Sequence, residues 1–312
     1  MKACIIGAGV TGLSLLLLLT HEGIDPSDIS IIDPHFECGD LGRRWSQVLS
    51  NTPWSKTVDT LNRLLGLRLP SSPKTTLLKD IADLFISLTA PIAVNRIKGF
   101  ATSVERKGGA WTVSYNTSSP NTLQSKAIFM CQGSNQKIIN QPIPSIPLEC
   151  AFDSRLSHFI RPGDKVTVFG TMHSGTLVIK NLHDLSASIT AVYRGSTPFV
   201  WDRDGAYDGI KEEAAAIADK IIAGEIPVTL TNKPPTDSRW VIYATGFTPR
   251  IISGLGQEYD GMTGAIRGAP NAWGFGIAYP NAAPDGVHWD VSVAAFLNHI
   301  KAQIPAIREL IF

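Results

Sequence analysis

Residues 7–12 read Gly-Ala-Gly-Val-Thr-Gly, between a short apolar run (residues 2–6) and a Leu-rich segment of helical length that ends at Thr20. A glycine triplet at this spacing leaves little choice of fold, because each position has a separate steric task. Gly7 permits a tight turn out of a strand. Gly9 lets the backbone approach a pyrophosphate, and Gly12 lets the following helix pack closely on the strand. The helix N-terminus, at Val10 and Thr11, presents free N–H groups and a positive dipole end to phosphates. A second apolar run, residues 29–32, ends at Asp33, 21 residues past Gly12, where a carboxylate can accept bonds from ribose hydroxyls. Strand, turn, helix, strand and acid fall in the order of a dinucleotide-binding βαβ unit.

Length and charge narrow the remaining choices. A chain of 312 residues, 44% apolar and 18% charged, has room for two domains and enough apolar side chains to build their cores. Lys+Arg 28 against Asp+Glu 27 leaves a net charge of +1, with no basic footprint for nucleic acid and no basic arm for an anionic membrane. The longest Leu-rich run, residues 13–19, is far short of a bilayer span, and Gly7, Gly9 and Gly12 interrupt any signal-peptide pattern. The four cysteines (Cys4, Cys38, Cys131, Cys150) form no C-x-x-C pair, which points to a reduced, cytoplasmic compartment. Cys4, in an expected core strand, should be inert. The seven histidines show no metal-ligand spacing, so no metal is expected. G-x-S-x-G is absent, and no Ser-His-Asp arrangement is supported. The expected partner is a small molecule, and a homodimer is one assembly open to the chain.

Further along, residues 99–130 break into short alternating segments that read as an antiparallel meander including Ser125-Lys-Ala-Ile-Phe-Met130. Residues 140–147 hold three prolines and read as a linker. A second βαβ pattern follows: a strand to Phe169, the turn Gly-Thr-Met-His-Ser-Gly (170–175), a helix over 176–185 and a strand over 189–193. This turn keeps Gly170 and Gly175 but carries Met172 at the middle glycine position, where a side chain obstructs the approach of a pyrophosphate. No acid closes the next strand. Arg194 stands there instead and would suit the 2′-phosphate of NADPH. His173 either contacts a nicotinamide nucleotide or faces water, and Ser174 either joins it or caps the helix. A module that has lost its nucleotide is the alternative. Residues 211–223 are helical by propensity. Residues 240–247 read as a buried strand meeting a glycine turn, and residues 291–300 as a helix. The loop 199–205 is either a substrate wall or plain surface.

Together these motifs resemble the flavoproteins with two dinucleotide-binding domains, a group that includes the thioredoxin reductases and the flavin-containing monooxygenases. The resemblance spans nearly the whole chain. Gly7–Gly12 with Asp33 matches the FAD fingerprint. Residues 128–134 are similar to the strand-to-glycine motif that closes the first FAD segment, with Gln132 and Gly133 as the carried-over contacts and Cys131-Gln132-Gly133 in place of Ala-Thr-Gly. Residues 168–175 match the NAD(P)H fingerprint. Residues 243–249, with Gly246, match the return to the FAD domain. Residues 274–280, with Gly276, occupy the last FAD motif, whose usual Gly-Asp has lost its acid. By position, His288, Trp289 and Asp290 would line the isoalloxazine.

Residues 42–56 are similar to a monooxygenase stretch, with Arg43 for its second glycine and a one-residue change of spacing. Arg44 and Trp45 would touch FAD, and Asn51 would lie over the flavin and steady its oxygenated form, an amide donating without adding charge. A turn-capping role for Asn51 ahead of Pro53 is equally open. The resemblance implies an α/β protein. A Rossmann-like FAD-binding domain (1–150 and 241–312) would carry an inserted Rossmann-like NAD(P)H-type domain (151–240). It implies FAD and NADPH as cofactors and an NADPH-dependent flavin monooxygenase acting on a small nucleophile. Without a C-x-x-C pair beside the flavin, thiolate-driven disulfide reduction is excluded. Two alternatives stay open: a cysteine-less NAD(P)H:acceptor reductase or oxidase, and an FAD-binding protein with a defunct nicotinamide site.

Overall fold

The computed structural model describes residues 1–199, 210–283 and 289–311. Two parallel sheets organise them. In the first, β14, β7, β1, β2 and β3 lie side by side in that order: β1 is Ala3–Ile6, β2 Ile29–Asp33, β3 Asn95–Lys98, β7 Ala127–Met130 and β14 Ala272–Gly274. β1 and β7 are continuous apolar runs, and β2 is interrupted only by Ser30 and the terminal Asp33; all three are buried along their length, as strands covered on both faces must be. Helix α1 (Val10–His21) buries every residue from Val10 to Leu19. It packs between the sheet and the helices α4 (Leu78–Thr89) and α7 (Val293–Ile311), which is why its Leu-rich sequence has no polar face. Helices α2 (Gly39–Arg43) and α3 (Trp54–Leu65) lie between β2 and α4 in the chain.

The expected meander is a three-stranded antiparallel sheet of β4 (Phe100–Lys107), β5 (Ala110–Asn116) and β6 (Pro120–Ser125). Its anticipated last strand is a correction: residues 127–130 run parallel to β1 in the main sheet, Ala3 opposite Ala127 and Ile6 opposite Met130. Ala-Ile-Phe-Met does not alternate, and two-sided burial beside β1 suits it better than a half-exposed ribbon.

The second sheet has the order β11-β10-β9-β12, with β9 Lys165–Phe169, β10 Ser188–Val192, β11 Thr229–Thr231 and β12 Trp240–Tyr243. Helix α5 (His173–Asp184) starts three residues before the expected 176, and α6 (Ile210–Ile222) packs against it. Between the sheets the chain crosses twice, along β8 (Ser134–Gln136) and β13 (Phe247–Pro249), which pair with each other in antiparallel fashion. The crossings fall outside 151 and 240. Val241 exchanges backbone bonds with Pro144 and Ile146, and Ile146, Leu148 and Cys150 belong to the second core. The proline-rich segment is therefore laid partly along β12. Short strands β15 (Asn281–Ala282) and β16 (Trp289–Asp290) precede α7. No helix among the described residues is long and apolar enough to cross a membrane.

The two βαβ units superpose bond for bond. Gly7 N donates to Ile32 O and Gly170 N to Val192 O, both at 2.8 Å. Cys131 N donates to Ile6 O at 2.8 Å, and Ala244 N to Phe169 O at 2.7 Å. Gly7 and Gly170 have φ of +103° and +98°, and a Cβ on either would overlap the carbonyl oxygen of Cys131 or of Ala244. A Cβ on Gly12 or Gly175 would overlap the carbonyl oxygen of Gly7 or of Gly170. Gly12→Ala and Gly175→Ala should therefore each destabilise the protein by about 3 kcal/mol, as overpacking against fixed backbone does. Gly23→Asn, at an open position of φ +84°, should cost far less. Urea denaturation of the three variants checks this.

Candidate active site

The carboxyl ends of β1, β2 and β7 and the N-terminus of α1 open onto two cavities, of ≈ 440 Å³ and ≈ 410 Å³. They share Gly7, Asp33, Gly39, Asp40, Gln132 and Arg250 and so form one long trench with a neck. The smaller is lined by Asp33, His35 and Phe100, the larger by Val10, Thr11, Trp45, Asn51, Phe275 and Val293.

The neck is shaped by missing side chains. Gly9 has ordinary extended dihedrals (φ −70°, ψ 179°), so conformation does not demand glycine there. A Cβ on Gly9 would meet only the Cα of Gly39, at 4.0 Å, and one on Gly39 (φ +63°) would lie 3.0 Å from the Cα of Gly9. Two bare backbones thus pack against each other beside the N-terminus of α1, and with no side chain over that helix end a pyrophosphate can approach it. Asp33 is buried, and its carboxylate already accepts from Ala8 N on Oδ2 and from His35 N and Phe36 N on Oδ1, each at 2.8 Å. Lone-pair capacity remains on Oδ2 for a ribose hydroxyl. A buried acceptor, Gln132 Oε1, has no partner among the described residues. Uncovered helix end and acid together fit FAD.

Arg250 organises the neck, and nothing in the sequence singles it out beyond its charge after Pro249. Its Nη2 donates to Asp40 Oδ2 (2.5 Å), Nη1 to Gln132 O (3.0 Å) and Nε to Asn135 Oδ1 (2.9 Å). Arg44 lines the smaller cavity and pairs with Asp40 at 3.6 Å and Glu149 at 3.8 Å. Trp45 sets its ring edge-on to Phe152 and Phe247 in the wall of the larger cavity.

Other expected positions fall as follows. Gly133 (φ +69°) lines the larger cavity. Gly276 (φ +91°) seats the last segment against Thr11, where a Cβ would come 2.5 Å from Thr11 Oγ1. Gly246 is exposed and turns the chain into β13, accepting from Lys137 N. Asn51 is exposed on the cavity wall. α3 starts after Pro53 with no side-chain cap, so the turn-capping role is not seen. His173 and Ser174, at the N-terminus of α5, line the larger cavity with Lys211 of α6, whereas Gly170 and Gly175 serve helix–strand packing. Met172 repeats the dihedrals of Gly9 (φ −83°, ψ −179°) and is 41% exposed. By the Gly170–Val192 bond, Tyr193 holds the place of Asp33. Arg194 is exposed beside it, outside both cavities.

Trp289 and Asp290 are not among the residues lining the two cavities. Trp289 is 56% exposed and leans on Tyr259, and Asp290 Oδ1 accepts from Ser292 N and Oγ just before α7. Val291, Ser292 and Val293 line the cavity in their stead. The short β15–β16 pairing fixes the side-chain directions there, a contact that linear position does not reveal. His288, and all of the loop 199–205 except Phe199, lie outside the described residues. The four cysteines are free and buried, and burial pushes the Cys4 and Cys38 thiols up to about 12.

No protein-family model matches the chain. It is 25% identical to the monooxygenase AgnR1 of Paecilomyces divaricatus over 97% of both chains. A flavin-containing monooxygenase from Stenotrophomonas maltophilia matches its fold with a TM-score of 0.73 over 98% of both chains, at 15% identity. The bacillithiol disulfide reductase of Bacillus cereus matches with 0.69 over 98% of both, at 16% identity. The chain has the fold of the flavoproteins with two dinucleotide-binding domains.

Burial, and secondarily the charge of Lys211, hold the His173 imidazole below its ordinary 6.5, and burial does the same for His299. The unfolded chain then takes up protons first as pH falls past 6.5, so stability that is full above that value declines below it. His173→Gln should lessen the loss of denaturation midpoint between about pH 7.5 and about pH 5.5.

Proposed function

We propose that the chain is an FAD-dependent oxidoreductase working as an NADPH-dependent monooxygenase on a small-molecule nucleophile. The observation that carries this reading is that one cleft is lined by both fingerprints: Gly9, Val10 and Thr11 from the first, His173 and Ser174 from the second. The full-length likeness to a monooxygenase supports it. FAD, when bound, supplies the redox chemistry, taking reducing equivalents from NADPH and passing them to O₂. In this reading the FAD domain comprises the first sheet with α1–α4 and α7, and the NAD(P)H-type domain the second sheet with α5 and α6.

The chain's own residues hold, orient and exclude water. Gly9 leaves the N-terminus of α1 uncovered for the pyrophosphate, Asp33 takes a ribose hydroxyl, and the first turn of α1 offsets phosphate charge. Trp45, Phe275 and Phe296 give the ring end an apolar wall that keeps water out. Asn51 projects an amide with no hydrogen bond to any described residue; it would donate a hydrogen bond to an oxygen substrate in the cleft without bringing a charge. Asn51→Ala should keep FAD, keep consuming NADPH in air, and release hydrogen peroxide, with oxygenated product falling roughly 100-fold. Product and peroxide assays read the two yields, and unchanged product yield would overturn the role.

An FAD-binding protein with a defunct nicotinamide site is the second reading, and Met172 is the observation that favours it. Met172→Gly should quicken anaerobic bleaching of the flavin at subsaturating NADPH. An unchanged rate contradicts obstruction by Met172, and no bleaching in either protein contradicts the NADPH assignment.

A further inference from the structure

Residues 46–55 run antiparallel to residues 72–79, and Val48, Asn51 and Leu78 from the two segments line the larger cavity. Lys79 N donates to Ser46 O at 3.2 Å. Leu78 N donates to Val48 O, Ser50 N to Thr76 O, Trp54 N to Lys74 O and Ser55 N to Ser72 O, each at 2.8 Å. This ladder ties the chain down on both sides of Asn51 but skips residues 51–53. Asn51 is exposed there, and its amide makes no hydrogen bond to any described residue. A side chain so placed has only its own backbone to aim it.

Ser50 stiffens that backbone. It is only 3% exposed, and its hydroxyl is turned along the chain, where Oγ donates to Thr52 O and closes a ring of atoms across Asn51. A serine bonded to the main chain two residues on makes a local turn that the surrounding ladder does not supply. On the other side, Thr52 precedes a proline and is thereby held toward extended dihedrals. Pro53 itself (φ −57°) opens α3. Asn51 is thus bracketed by a hydroxyl bridge over it and a proline beyond it. The bridge fixes where the amide points, and a catalytic group is effective only when its supporting residues hold it near the productive geometry.

We propose that Ser50 is a positioning residue whose hydroxyl, by bridging to Thr52 O, holds the Asn51 amide in the cleft. The inference rests on the role given to Asn51 above. NMR relaxation of the FAD-free protein reads the bridge without any turnover. The Asn51 backbone N–H should have the order parameter of rigid backbone, about 0.85, in the wild type and fall below about 0.6 in Ser50→Ala. Ser50→Cys, of similar shape but a weak donor, should lie between. A second measurement joins the bridge to the chemistry. With NADPH as reductant, air present and no organic substrate added, Ser50→Ala should release hydrogen peroxide roughly 3- to 10-fold faster than the wild type, as one lost hydrogen bond would allow. In an Asn51→Ala background the same substitution should alter that rate by less than about twofold, because a residue acting through another has nothing left to act on. A merely structural role would raise release equally in both backgrounds, and that result overturns the proposal. Wild-type order at Asn51 in Ser50→Ala overturns it as well. If Asn51→Ala alone leaves peroxide release at the wild-type rate, the role of Asn51 fails instead, and the relaxation data still decide whether Ser50 fixes its backbone. Should Ser50→Ala not fold, Ser50→Cys decides alone.

Discussion

Everything in this chain hangs on a strand-to-helix turn in which backbone touches backbone with no room for a Cβ. At Gly7 and Gly12 the turn presses α1 onto β1 and onto the carbonyl of Cys131. At Gly170 and Gly175 the same contacts recur with Ala244. The contacts at Cys131 and Ala244 matter beyond packing, because each marks the end of a strand from which the chain crosses between the sheets. β7 runs on into β8 and β12 into β13, and those two pair, Phe247 opposite Gln136. Two copies of one steric device therefore set the helix N-termini of both units on the same cleft.

The neck of that cleft is held by charge and hydrogen bonding where the apolar cores do not reach. Arg250, from the second crossing, spans Asp40, Asn135 and the backbone of Gln132. Arg44 extends the network to Glu149, which precedes the second sheet. Trp45 joins the units by ring contact, with Phe152 on one side and Phe247 on the other. Arg250 and Asp40 are only partly exposed, a setting in which a hydrogen-bonded pair positions groups more dependably than it stabilises them.

What was legible in the chain was whatever is local. Glycine spacing, an apolar run before it and an acid after it are set by neighbours in sequence, so both turns, Asp33, β1, β2 and β9 sit where the motifs place them. What was not legible depends on partners distant in sequence. Residues 127–130 look like one more meander strand until β1 claims them. Trp289 and Asp290 occupy the expected stretch but turn away, because Tyr259 takes one and Ser292 the other. Arg250 and Asp40 carry no motif and become a pair only when residues 210 apart in the chain meet. The obstruction at Met172 was readable as a residue type. Its severity became concrete only when its backbone proved to match that of Gly9.

That match supplies the most direct test of the account. Gly9 has the dihedrals of Met172, and a Cβ there would meet nothing closer than the Cα of Gly39, in ordinary contact at 4.0 Å, so Gly9→Met should fold and merely cover the helix end. Calorimetric titration of apo-protein with FAD should show one site per chain in the wild type. The Gly9→Met variant should lose binding while its melting temperature, measured without FAD, stays close to that of the wild type. Equal FAD binding by the two proteins would contradict the claim that the dinucleotide sits on the turn at Gly9.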